Sequence, residues 1–137
     1  MEPRFALPAE LVEGTTVSGN EYGWPPRLFP EAAHRAESLR YACLGGQFQF
    51  HGAFGTCEMY WLSADSRERQ SGERWTAYCQ RSRAEVLDAF RQIMDQTDFN
   101  REAMQWPALK TEEERGFDVL GALVFVAYFV TDQEMAC

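Results

Sequence analysis

The sequence predicts an α+β fold: a mainly antiparallel sheet of four or five strands, with two main helices (about 30–40 and 83–96) packed on one face. Three observations predict it. Residues 47–62 alternate apolar and polar side chains on either side of a short glycine-bearing turn, the pattern of a hairpin with one face more buried. Residues 82–96 open with a helix-start signature and continue as a single apolar stripe. The twelve residues 119–130 form an apolar run rich in valine and aromatics. At 137 residues, with 45% apolar and 14% aromatic side chains, the chain has the size and composition of a single domain, 1–137, with one core.

The elements follow in order. Residues 1–29 hold Pro3, Pro8, Pro25 and Pro26 and read as an irregular Pro-rich lead, with a short strand around Leu11–Val17 and a loop that carries Tyr22 and Trp24. Pro30 suits a first helical position and Glu31 the first turn, where the helix dipole favours an acid. The helix 30–40 presents the small residues Ala32, Ala33 and Ala36 for close packing on a sheet. In the hairpin, Phe48 and Phe50 alternate with Gln47, Gln49 and His51, and Cys57, Met59 and Trp61 with Glu58, Tyr60 and Leu62, so Gly52–Thr56 is the turn with Gly55 near its tip. After a charged loop, 73–80 (ERWTAYCQ) repeats the alternation and reads as a third antiparallel strand.

Ser82-Arg83-Ala84-Glu85 then matches a capping box, which starts the second helix. Val86, Leu87, Phe90, Ile93 and Met94 make its stripe. Thr97 or Asp98 caps a shorter helix through Met104, stopped before Pro107. The apolar run to Val130 is too short to span a bilayer as a helix and fits a central strand buried on both faces, with Gly121 a bulge or close-approach point. A buried helix fits the run as well, and periodicity does not separate the two.

Charge narrows the function classes. With 21 acids against 13 bases the net charge is −8, which repels phosphate backbones and anionic membranes and attracts basic proteins. Nucleic acid and membrane are therefore not expected partners. MEPRFALPAELVEG has no apolar core of a secretory signal, so a cytoplasmic protein is expected, with Cys43, Cys57, Cys79 and Cys137 reduced. The spacing of Cys43, His51, Cys57 and Cys79 contains no close cysteine pair of the kind that marks structural zinc, and neither His34 nor His51 has flanking residues that identify a nucleophile–base pair. Gly45-Gly46 lacks the lysine and the following helix of a phosphate loop. No catalytic residue, metal or cofactor is expected.

The charge is also polarised. From Ser63 to Arg83 five arginines face three acids, whereas Glu85 to Asp118 holds nine acids against four bases. The residues expected to bind a partner are Asp95, Asp98, Glu102, Glu112, Glu113, Glu114 and Asp118, around Trp106 as the aromatic anchor. The competing reading of these acids is a solvated helix face and loop.

In size, negative charge, α+β pattern, want of a catalytic motif and the acidic segment with TEEER and Trp106, the chain resembles the small cytosolic immunity proteins that bacteria keep against secreted polymorphic toxins. The resemblance implies a protein partner, a basic toxin domain whose active site is occluded by the acidic surface. It carries over no residue roles. A second reading is a small enzyme or ligand-binding domain with a pocket lined by Tyr41, His51, Tyr60 and Tyr78, between sheet and helices. A third is a homodimer that meets through 117–130 or Trp24.

Overall fold

The computed structural model describes residues 6–136; Pro3 and Cys137 lie outside the described residues. The fold is α+β, with one five-stranded antiparallel sheet. Its strands are β1 (Thr16–Ser18), β2 (Glu21–Trp24), β3 (Ala42–Gly52), β4 (Gly55–Asp65) and β5 (Leu123–Val130), in the spatial order β1-β2-β5-β3-β4. The helices are α1 (Ala9–Val12), α2 (Phe29–Ser38), α3 (Trp75–Gln96), α4 (Phe99–Ala103), α5 (Pro107–Glu114) and α6 (Asp132–Ala136).

The apolar run is indeed a central strand, but only from Leu123. Val119–Ala122 forms a 3-10 turn capped by the Asp118 carboxylate, which accepts from the Leu120 amide at 3.2 Å, and Gly121 lies in that turn. β5 then runs between β2 and β3 with Leu123–Ala127 all buried. The hairpin forms, but with a tighter turn than the expected Gly52–Thr56, β3 ending at Gly52 and β4 starting at Gly55, where a φ of +112° requires a glycine, and Trp61 does not share the buried face of Cys57 and Met59.

α2 and α3 cover one face of the sheet. Phe29, Ala33 and Ala36 from α2 and Val86, Leu87 and Phe90 from α3 join Phe48, Phe50, Phe125 and Phe129 in one buried cluster. Its centre is aromatic: Phe29 meets the Phe125 ring edge-on at 4.6 Å, and Phe90 stacks on Phe48 at 5.4 Å.

Three expectations are corrected. The strand at 73–80 is the first two turns of α3, which begins at Trp75 and not at 83. The capping box is absent: Ser82 is in mid-helix and fully buried, its hydroxyl accepting from the Cys43 amide at 3.1 Å and donating to the Cys79 carbonyl at 3.2 Å. Glu85 turns outward to Arg67 and Arg81. The Pro-rich lead is not irregular in its described part: the short strand expected around Leu11–Val17 forms only at its end, as β1 from Thr16, with Ala9–Val12 helical before it, and β1 and β2 pair across a turn at Gly19-Asn20, with Gly19 at φ +62°.

The opposite face curls. Thr16 on β1 and His51 on β3 are three strand spacings apart, about 14 Å in a flat sheet. Their Oγ1 and Nδ1 atoms nevertheless hydrogen-bond at 2.6 Å, and Ser18 on β1 reaches Thr56 on β4 at 2.6 Å. The β3–β4 tip therefore bends back over β5 towards β1. Gly23 lies beneath it, since a Cβ there would stand 2.7 Å from Val124 Cγ2 and 3.1 Å from His51 Cε1.

Candidate protein-binding surface

The acidic segment folds as a chain of short, capped elements after α3. Asp98 caps α4 by accepting from the Arg101 amide at 3.2 Å, as the sequence indicates. Pro107 opens α5, a helix the sequence reading missed, and its signal was Pro107 itself at a first helical position. α5 ends in a Schellman motif: the Phe117 amide donates to the Glu112 carbonyl at 3.0 Å and the Gly116 amide to that of Glu113 at 2.9 Å. Gly116 sits at φ +87°.

Glu112, Glu113 and Glu114 thus occupy the last turn of α5, where the helix dipole disfavours acids. Glu112 faces Arg115 at 3.7 Å, while Glu113 and Glu114 are exposed and make no ion pair with any described residue. Asp95 and Asp98 are exposed as well, and Asp118 is exposed beside its capping bond.

The arginines are arranged in the opposite way. Arg81 binds Glu73 at 2.7 Å and Glu85 at 3.0 Å, Arg67 binds Glu85 at 2.7 Å, Arg69 binds Asp132 at 3.1 Å, and Arg83 binds Glu37. Four of the section's five arginines are thus ion-paired, to acids of which only Glu73 lies within it, and Arg74 is exposed with no ion pair among the described residues. Between 95 and 118, seven acids stand against three bases, and Arg115–Glu112 is the one ion pair among the described residues of that segment.

Trp106 is half-buried against the core, and its indole nitrogen is buried with no acceptor among the described residues. The aromatic surface beside it belongs to β4. Gln47 pairs with Ser63 but Phe48 with Met59, so Tyr60, Trp61 and Leu62 are looped out of the β3–β4 ladder. In this wide bulge Tyr60 is 75% and Trp61 46% exposed. The Trp61 ring lies nearly parallel to Trp106 (centroids 6.4 Å, 12°) and its Nε1 donates to Glu102 Oε1 at 3.0 Å. Glu102 Oε2 accepts from Gln105 at 2.9 Å. The structure therefore brings Glu102 and Trp106 together with Trp61 and Tyr60, two residues the sequence reading placed in the hairpin and did not connect with the acidic segment.

The residues of the other readings lie elsewhere. Cys43, Cys57 and Cys79 are buried thiols; burial pushes Cys43 up to about 12 and Cys79 to about 11, which keeps both protonated and unreactive at neutral pH. Burial also holds His51 below its ordinary value, against the pull of Glu21 and Glu58. Among the described residues no group of three or more His, Cys, Asp and Glu is placed to hold a metal ion. His51 lines a cavity of about 390 Å³ with Thr16, Ser18 and Thr56, a cavity to which Tyr41, Tyr60 and Tyr78 do not contribute. Tyr78 is buried with Cys79 under Ala42 and Val130. Trp24 is buried and donates to the Leu11 carbonyl at 2.7 Å, while of the segment 117–130 Phe117, Leu120 and Tyr128 are exposed and Leu123–Ala127 buried. No described helix is long and apolar enough to cross a membrane. No family model matches the chain, and no curated protein and no solved structure matches it either.

Proposed function

We propose that the protein is an immunity-type inhibitor, a cytoplasmic binding protein that occludes the active site of a basic toxin domain with the acidic surface of residues 95–118. The observation that carries this reading is the asymmetry of ion pairing. Four of the five arginines of 63–83, Arg67, Arg69, Arg81 and Arg83, are each matched to an acid of the same chain, Arg74 being the exception, whereas Asp95, Asp98, Glu113, Glu114 and Asp118 are matched to none among the described residues. Unpaired exposed acids leave a directional negative field, which accelerates encounter with a cationic surface and discriminates against anionic competitors. The same field would imitate the phosphates of a nucleotide or nucleic-acid substrate.

The acidic last turn of α5 supports the reading. Acids at a helix C-terminus cost stability, typically about 0.3–1 kcal/mol each. A local rule broken without a compensating contact is characteristic of a functional surface.

The test is affinity capture from the native host with wild-type protein and with Glu112→Lys/Glu113→Lys/Glu114→Lys. The reversal shifts the net charge of −8 by six units. The expected result is a basic effector domain retained by wild type, inhibited by it in an activity assay, and lost on the variant. Equal capture and inhibition by both proteins would remove this surface from the mechanism.

A further inference from the structure

Tyr60 and Trp61 are exposed together because β4 bulges, and their rings meet edge-on at 5.1 Å and 85°. One side of Trp61 is backed by Trp106, which fixes the indole plane. Beside that plane, the Glu102 carboxylate is oriented at both oxygens, by Trp61 Nε1 at 3.0 Å and by Gln105 Nε2 at 2.9 Å. Each oxygen keeps a further lone pair. Among the described residues Glu102 has no cation of its own chain as partner, although the exposed Arg101 is its neighbour in sequence.

An aromatic face with a carboxylate at its edge suits one kind of side chain best. A guanidinium is planar, weakly hydrated and fork-shaped, so it lies on an aromatic ring while its N–H groups reach a carboxylate. An ammonium is a compact, strongly hydrated charge that gains from the carboxylate but little from the ring plane. We infer that Tyr60, Trp61 and Glu102 form an anchor site for an arginine side chain of the basic partner, selected over lysine. This rests on the acidic-surface reading and names the group that the partner presents.

The experiment measures binding of hexa-arginine and hexa-lysine peptides to the full chain by calorimetry at low salt, with sedimentation run alongside. Wild type is expected to favour hexa-arginine by about two- to fivefold, the range of an exposed cation–π contact. Tyr60→Ser, at a position 75% exposed, should keep the fold and reduce that ratio; Trp61→Ala should reduce it further. Glu112→Lys/Glu113→Lys/Glu114→Lys should weaken both peptides alike and leave the ratio unchanged. A wild-type ratio of one, or a ratio that survives both aromatic variants, overturns the anchor while leaving the acidic surface standing. Binding of neither peptide overturns the acidic-surface reading and the anchor with it. A dimer abolished by Tyr60→Ser would assign the patch to a second copy and overturn the anchor.

Discussion

Replacing Ser82 with alanine should destabilise the protein by about 2–3 kcal/mol, a large effect for deleting one oxygen. Ser82 is fully buried in mid-helix, and its hydroxyl is the acceptor for the Cys43 amide at 3.1 Å. Cys43 lies at the register shift where β3 slips against β5, between Cys43 and Gly45. Alanine keeps the Cβ and opens almost no cavity, so the cost comes from the amide it strands. A buried donor left without its partner costs about 1–3 kcal/mol, and complete burial puts this N–H in the upper part of that range. The bond to the Cys79 carbonyl, at 3.2 Å, adds little, because that oxygen also belongs to the helix ladder. Urea unfolding should show a lower midpoint with an unchanged slope, and the melting temperature should fall by about 6–12 °C. A companion variant separates helix from strand by sign. Ala77 is exposed, so Ala77→Val should cost about 0.5 kcal/mol in a helix but stabilise a strand. A Ser82→Ala change below about 0.5 kcal/mol, within the scatter of ordinary surface substitutions, together with a stabilising Ala77→Val, would refute the placement of this segment.

Three further outcomes follow from the packing. Trp106→Phe deletes a buried, unpartnered N–H but also part of a ring packed against the core, and the two effects oppose each other, so stability in urea should change by less than about 1 kcal/mol; a larger loss would show that the stranded nitrogen does not offset the lost packing. Gly46→Ala should cost about 1–3 kcal/mol by overpacking, because a Cβ there would stand 2.4 Å from the Val126 carbonyl and 2.6 Å from the Phe125 ring; an unchanged melting temperature would refute this close approach of β3 and β5. The hydrogen bonds from Arg81 to Glu73, at 2.7 and 2.8 Å, hold this carboxyl down from an ordinary 4.5 to about 2. A depressed carboxyl contributes stability that is fully present above 4.5 and is lost as pH falls through 2, so Glu73→Gln should be less stable than wild type at pH 7 and should converge on it in acid melts between pH 4.5 and 2.

The misplaced start of α3 has a physical cause visible in the residues. Trp75, Tyr78, Cys79, Ser82, Val86, Leu87 and Phe90 face inward at helical spacing, but a serine in that series breaks the apolar stripe. What remains upstream of it, Trp75, Ala77 and Cys79, falls into a period of two by accident. Ser82 and Glu85 also have the spacing of a capping box, although the serine was drawn inward by the Cys43 amide on another element. A long-range hydrogen bond leaves no local pattern. β2 was closer to legible: Gly19-Asn20 is a recognised hairpin turn pair, and Tyr22 and Trp24 alternate after it. Two alternating residues bounded by Pro25 were too short a run to outweigh four prolines.

For the candidate surface, composition gave the charge and its segregation, because every unit charge is written in the sequence. Pairing is not. Arg81 reaches Glu73 eight residues before it and Glu85 four after it, while Glu113 and Glu114 reach no cation, and only the fold separates these cases. The aromatic contribution was hidden by a different mechanism. Strict alternation in β4 would set Trp61 on the core face with Cys57 and Met59, and no residue type announces that Tyr60, Trp61 and Leu62 leave the ladder. The bulge divides the labour between the two tryptophans: Trp106, the anchor expected from sequence, is packed from behind, and Trp61 presents the accessible face. An 11-residue edge strand is also a template for indiscriminate pairing, and a bulge with bulky exposed rings obstructs it. The distortion that keeps this edge from pairing with other strands is therefore the one that makes it available to side-chain recognition.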